Sequence, residues 1–105
     1  MRKLYVVKES KDFDTIIKNN NCNKNKSFVI YSQNNNLKYN RYGISVSKKL
    51  GNAVFRNKYK RKIRSIIDNY KKDCNIPRDY IIILRRGAVN KKFSELKEDL
   101  ELLLR

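Results

Sequence analysis

Residues 41–64 read RYGISVSKKLGNAVFRNKYKRKIR, and the periodicity of the apolar residues changes within this stretch. Tyr42, Ile44 and Val46 alternate with polar or small residues, which predicts a strand over residues 37–47 with one buried face. After Gly51 and Asn52 the apolar residues recur at helical spacing, which predicts a helix over roughly residues 52–72. A strand followed by a long helix therefore forms the centre of the fold.

The residues before this stretch predict three further segments. Ser10 is a suitable N-cap for a short helix over residues 10–19, and the asparagine-rich residues 19–23 indicate a loop. SFVIYS at residues 27–32 predicts a strand. Because Gln33 and the three asparagines at 34–36 favour a turn, we expect this strand to form a hairpin with strand 37–47.

The residues after the long helix predict a second strand–helix pair. YIIIL at residues 80–84 is continuously apolar, which is typical of a central strand buried on both faces. Asn90 is the expected cap of a last helix. The apolar stripe of that helix comprises Phe93, Leu96, Leu100 and Leu103. The order α-β-β-α-β-α, with a βαβ unit, predicts an α+β two-layer sandwich forming a single domain over residues 1–105.

The charge of the chain points to a polyanionic partner. Its 26 Lys and Arg residues against 10 Asp and Glu give a formal net charge of +16. Nucleic acid is the first candidate and an anionic membrane surface the second. No apolar run is long enough to span a bilayer, and Met1–Lys3 is followed by only a short apolar run, so we expect no signal peptide, no membrane partner and a cytoplasmic location.

Few residues in the chain are suited to catalysis or metal binding. The chain has no histidine, and Cys22 and Cys74 lack the spacing of a zinc site, so we expect two reduced thiols, no metal site and no catalytic residue. Four of the ten acidic residues fall in the last predicted helix, where they indicate a solvated face: Glu95, Glu98, Asp99 and Glu101. A nuclease acting through protein groups alone is therefore a weak hypothesis.

The long helix combines a core face with a basic face. Its predicted core face comprises Phe55, Tyr59, Ile63, Ile66, Ile67 and Tyr70. Beside it lies a set of four cations and one amide, which we call the basic stripe: Arg56, Asn57, Lys60, Arg61 and Arg64. Basic helix faces are often merely solvated. Here no acidic residue stands at i+4 spacing within residues 56–64, so we expect an external polyanion to compensate the charge.

The same residues carry a family resemblance. The basic stripe fits the pattern RNxxKRxxR, and it follows SVSKKLGNAV at residues 45–54. With FVIY at 28–31 and RDYIIILRRGA at 78–88, the chain resembles the bacterial ribonuclease P protein family over essentially its whole length. The resemblance implies a fold like the second domain of ribosomal protein S5, with a left-handed βαβ crossover.

The family resemblance also implies a function and its partners. A large catalytic RNA, one per protein, would cleave the 5′ leader from precursor tRNA with Mg²⁺ held mainly by the RNA. The protein subunit would assist this reaction and supply no catalytic group. Two other hypotheses remain open: a non-catalytic RNA-binding or ribosomal protein, and a nuclease made of protein alone.

Two surfaces are implied by the resemblance. The basic stripe would face the catalytic RNA, with Lys60 and Arg64 also near the leader. Lys48 and Lys49 either touch RNA or extend the basic field. A central cleft would hold the single-stranded leader, and its matching positions are Phe13, Ile17 and Tyr31. Many relatives have an aromatic residue where this chain has Ile17.

Overall fold

The computed structural model describes residues 22–35, 39–70 and 78–104. Its elements, in chain order, are β1 (Cys22–Lys24), β2 (Phe28–Asn34), β3 (Arg41–Ser45), α1 (Ala53–Asn69), β4 (Arg78–Leu84) and α2 (Phe93–Leu104), with a 3₁₀ turn at Arg86–Ala88. The helix predicted at residues 10–19 lies outside the described residues.

The four strands form one sheet in the order β1-β2-β4-β3. β4 pairs in parallel with β3 and antiparallel with β2. The predicted βαβ unit is confirmed, because β3, α1 and β4 follow one another and the two strands are neighbours. The predicted hairpin between the strands at 27–32 and 37–47 is wrong. β4 lies between them, since its continuous apolar run is buried on both faces only in the middle of the sheet.

Strand β1 corrects the loop predicted at residues 19–23. Cys22–Lys24 pairs antiparallel with Val29–Tyr31, although all three of its residues are exposed. An exposed edge strand has no hydrophobic alternation, so the sequence pattern did not indicate it. The turn into β2 is fixed by Asn25, whose side-chain Oδ1 accepts hydrogen bonds from the backbone N–H groups of Ser27 and Phe28 at 3.0 Å.

Both helices pack on one face of the sheet. The core face predicted for α1 is confirmed: four of its residues are buried, and Phe55 and Tyr70 pack against them. The buried four are Tyr59, Ile63, Ile66 and Ile67. α1 begins after Asn52, whose Oδ1 accepts a hydrogen bond from the Phe55 N–H at 3.0 Å.

The apolar stripe of α2 agrees with the prediction except at its two ends. Leu96 and Leu100 are fully buried as expected, and Leu103 is partly buried against the core. Phe93 is 43% exposed, whereas Leu104 is buried at the other end of the helix. The prediction that Phe93 belongs to the core stripe is therefore wrong.

Asn90 does not cap α2. Its φ of 71° places it in the left-handed region, and its N–H donates to the Tyr59 hydroxyl at 3.2 Å. The helix begins after Lys92, whose carbonyl accepts from the Leu96 N–H at 3.0 Å. The side chain of Glu95 accepts from the Lys92 N–H at 3.2 Å and takes the capping role instead.

Asp99 is not part of a solvated helix face. Its carboxylate accepts hydrogen bonds from the Ser27 hydroxyl at 2.5 Å and the Lys91 ammonium at 2.8 Å. Its carbonyl accepts from the Asn25 side chain at 2.9 Å. The bonds from Lys91 and Ser27 lower the pKa of Asp99 below its ordinary value. These contacts fasten α2 to the turn before β2.

Gly87 is expected to tolerate no larger side chain. A Cβ atom at this position would overlap the backbone carbonyl of Lys26, and the backbone there is fixed by a 2.8 Å hydrogen bond from the Arg85 N–H to the Ser27 carbonyl. Gly87→Ala should lower the free energy of unfolding by about 1–3 kcal/mol, measured by urea denaturation. The control is Arg86→Ala, an exposed neighbour expected to change it by less than about 0.5 kcal/mol. Equal midpoints for the two variants would contradict the overlap.

Candidate nucleic-acid interface

Helix α1 carries the whole basic stripe on its solvent side. Asn57, Arg61 and Arg64 are exposed, and Arg56 and Lys60 are half-buried. Arg56 turns back to donate a hydrogen bond to the Gly51 carbonyl at 3.3 Å, which holds its guanidinium near the N-terminus of the helix. The structure thus brings the five predicted residues onto one rigid element. Their role in binding stays a prediction.

None of the stripe's cations has a carboxylate partner in the part of the chain that the structure describes. The ion pairs found there join Arg41 to Asp79 and Lys91 to Asp99. The only acidic residue of α1 is Asp68, at its last turn. Arginine and lysine side chains that have no carboxylate partner can bind phosphate oxygens without first breaking an internal ion pair.

A shallow depression in α1 adds two residues that the sequence pattern did not single out. It is lined by Val54, Asn57, Lys58 and Arg61. Val54 is 77% exposed. The depression therefore offers two cations and an amide beside an apolar surface, a combination that suits a phosphate with its attached sugar. Helical spacing alone could have indicated this, since Val54 is three or four residues from Asn57 and Lys58.

Lys48 and Lys49 lie in the turn between β3 and α1, and both are exposed. Ser47 closes this turn by accepting the Leu50 N–H on its carbonyl at 3.1 Å and the Lys49 N–H on its hydroxyl at 3.2 Å. The two lysines therefore stand just before the N-terminus of α1, next to the start of the basic stripe.

The other face of the sheet carries a small apolar group. Tyr31 on β2 packs with Ile81 and Ile83 on β4, away from the core that the helices cover. Tyr31 is half-buried. Of the three residues predicted to line the leader cleft, only Tyr31 is described, because Phe13 and Ile17 lie outside the described residues.

A buried ion pair that the sequence analysis missed lies on the same face. Asp79 is 1% exposed, and its carboxylate accepts from Arg41 Nε at 2.9 Å and from Arg41 Nη2 at 2.6 Å. Asn35 donates a third bond at 2.8 Å. Burial alone would raise the pKa of Asp79, but the hydrogen bonds from Arg41 and Asn35 and the charge of Arg41 lower it below its ordinary value. The alternation along β4 could have indicated the burial of Asp79, because Asp79 stands two residues before the buried Ile81 and so points to the same face.

The described residues contain no group of three or more potential metal ligands, and no helix among them is long and apolar enough to cross a membrane. Cys22 is an exposed free thiol, as expected, and Cys74 lies outside the described residues.

The family model for ribonuclease P matches residues 1–105. The ribonuclease P protein component of Staphylococcus haemolyticus is 45% identical over 105 residues, which are 100% of this chain and 91% of that protein. The structure of the Staphylococcus aureus RNase P protein aligns with a TM-score of 0.86 at 40% identity, covering 95% of this chain and 92% of that one. A mutant of that protein with defective mRNA degradation activity aligns with a TM-score of 0.88 at 41% identity, covering 97% and 86%.

Proposed function

Since the chain belongs to the ribonuclease P protein family and acts in tRNA processing as a subunit of that endoribonuclease, we propose that its basic stripe binds the catalytic RNA. The partners of the subunit are the ribonuclease P RNA and its tRNA substrate. The observation that carries the proposal is the stripe on α1, with four cations whose side chains meet no carboxylate in the described residues. Lys48 and Lys49 extend this surface. The chain acts as a single RNA-binding domain over residues 1–105.

The face around Tyr31 is the proposed site of the 5′ leader of precursor tRNA. The half-buried ring of Tyr31 and the partly buried Ile83 offer an apolar surface, and the fully buried Ile81 packs against them. Stacking of a base on such a ring contributes about 1–3 kcal/mol and depends little on sequence. Phe13 and Ile17 would complete this cleft, with one aromatic contact fewer than in relatives that have an aromatic residue in place of Ile17.

The protein's own residues do not suit the hydrolysis step. Ribonuclease P is a ribonucleoprotein that generally needs metal ions, yet the described residues bring no three ligand side chains together. The chain also has no histidine to act as acid or base. We propose that Mg²⁺ is held mainly by the RNA, that the RNA performs the chemistry, and that one protein binds each RNA in the cytoplasm.

Two competing functions have to be separated from this one. A mutant of the 41% identical Staphylococcus aureus protein is defective in mRNA degradation activity, so cleavage by the protein alone is the first competitor. The second is plain RNA binding without any part in leader removal, which the same positive charge would support.

Reconstitution tests the proposed function. The purified chain alone should leave precursor tRNA intact, and adding a bacterial ribonuclease P RNA should give leader removal at a low Mg²⁺ concentration at which the RNA alone is slow. Polylysine of similar charge is the control, because it supplies charge without the stripe. Gel analysis of a 5′-labelled precursor gives the readout. Cleavage by the RNA-free protein would favour the nuclease, and an RNA rate that the protein leaves unchanged would exclude the subunit role.

A further inference from the structure

A second group of cations lies at one end of the sheet, outside all the residues assigned above. The strand register brings four strand ends together there. Lys24 at the end of β1 pairs with Val29, and Phe28 at the start of β2 pairs with Leu84 at the end of β4. Ser45 at the end of β3 pairs with Ile83. Segments that are far apart in the sequence therefore leave the sheet at the same end of its strands.

The segments at this end of the sheet carry four exposed cations, which we call the sheet-end cluster: Lys24, Lys26, Arg85 and Arg86. Two hydrogen bonds of 2.8 Å hold their backbones together, from the Arg85 N–H to the Ser27 carbonyl and from Arg85 Nη1 to the Asn25 carbonyl. Gly87 also abuts the Lys26 carbonyl. The two segments that carry the cluster are thus held together by contacts of their backbones.

The charge of the sheet-end cluster is not neutralised within the described residues. The nearest carboxylate in the hydrogen-bond network is that of Asp99, and it is already bound to Lys91 and Ser27. Among the described residues, the side chain of Arg85 bonds only a backbone carbonyl, and the side chains of Lys24, Lys26 and Arg86 form no hydrogen bond or ion pair. Like charges gathered on a rigid surface repel one another, so an external anion would stabilise this end of the molecule.

The cluster is continuous with the surface already assigned to RNA. Lys48 and Lys49 follow β3, which ends at the same end of the sheet. In the strand order, β3 lies beyond β4 when counted from β1. Three strand spacings, about 14 Å, separate β1 from β3. A nucleic-acid strand presents several phosphates over such a distance. The cations therefore run from β1 across the end of the sheet to the N-terminus of α1.

We propose that the sheet-end cluster is a second phosphate-binding surface, which extends the basic stripe into one track for an RNA backbone. The inference rests on the proposed function and adds four residues to it. The ligand is the phosphate backbone, since long exposed cations position a strand without reading its bases. The backbone comes from the catalytic RNA or from the precursor tRNA, and the two sources are separable by experiment.

The test compares two variants that lower the net charge equally, from +16 to +14. Lys26→Gln with Arg86→Gln removes two cluster charges and no described hydrogen bond. Lys97→Glu on the exposed side of α2 is the matched control. Binding is measured over a salt series, first to ribonuclease P RNA alone and then of precursor tRNA to the assembled complex. Thermal unfolding checks that both variants fold, and Arg61→Ala with Arg64→Ala is run in parallel.

The cluster variant should make the slope of log K against log salt shallower by about 2, and the control should leave it unchanged. If the slope changes for the catalytic RNA alone, the cluster binds that RNA. If it changes for the precursor tRNA alone, the cluster binds the substrate. Equal slopes for the cluster variant and wild type in both series overturn the inference. If the slope does shift for Arg61→Ala with Arg64→Ala, the proposed function survives that failure. If neither variant shifts the slope, both ideas fail.

Discussion

Replacing Arg41 by methionine is expected to lower the free energy of unfolding by about 3 kcal/mol at neutral pH. Methionine keeps most of the aliphatic stem but leaves the buried carboxylate of Asp79 without its cation and without two hydrogen bonds. Breaking a buried pair from one side costs about 3–5 kcal/mol. The arginine side chain is 24% exposed, which favours the lower end of that range. Urea denaturation followed by circular dichroism measures the loss.

The loss of unfolding free energy in Arg41→Met should become smaller as the pH falls. Because the pKa of Asp79 is lowered in the folded protein, its contribution is complete above the ordinary aspartate pKa and is lost as the pH falls through the lowered value. In the variant, Arg41 no longer offsets the effect of burial on the pKa of Asp79, so the carboxyl group takes up a proton more readily. The difference between wild type and Arg41→Met should therefore be smaller at about pH 3 than at pH 7.

Arg78→Met is the matched control for this prediction. Arg78 is the neighbour of Asp79 on β4, and its replacement removes the same charge, but among the described residues its side chain bonds only Asn34 and Ser32, which are neutral. Its replacement should cost less than about 1 kcal/mol, with little dependence on pH. Equal losses for the two arginine variants would show that the pair with Asp79 has no special role in stability.

The fold was predictable where one periodic signal fixes one element. The alternation of Tyr42, Ile44 and Val46 and the helical spacing from Phe55 to Ile67 predicted β3, α1 and their order correctly. Strand order was not predictable from the turn expected at residues 33–36. The residue types of a turn do not tell whether a later strand inserts between the two strands that the turn connects. The burial of YIIIL on both faces was the signal that β4 has a neighbour on each side.

The candidate site divides in the same way. The basic stripe lies within nine residues of one helix, so the sequence alone placed its members together. Arg41 and Asp79 are 38 residues apart, and only the parallel register of β3 and β4 brings them into contact. The sheet-end cluster combines two separate chain segments and likewise depends on strand order. Tertiary pairing, which local patterns do not encode, determines both.

The largest effect on binding is expected for Arg61→Ala with Arg64→Ala. The stripe's four cations would contribute about −3 to −4 to the slope of log K against log salt, with nearly one unit for each phosphate engaged. Removing two exposed guanidinium groups should make the slope shallower by about 2. Raising the salt fourfold would then cost the variant roughly tenfold less affinity than it costs wild type. Filter binding to ribonuclease P RNA measures this directly.

A charge-conserving pair separates electrostatics from geometry at the same two positions. Arg61→Lys with Arg64→Lys keeps both charges, so the slope should stay near that of wild type. Affinity should still fall, because an ammonium group does not match a phosphate through two parallel hydrogen bonds as a guanidinium does. Lys97→Glu, with the same net charge as the double alanine variant, should change neither quantity. If instead the alanine pair keeps the wild-type slope, the RNA lies on another surface, and the stripe is only a solvated helix face.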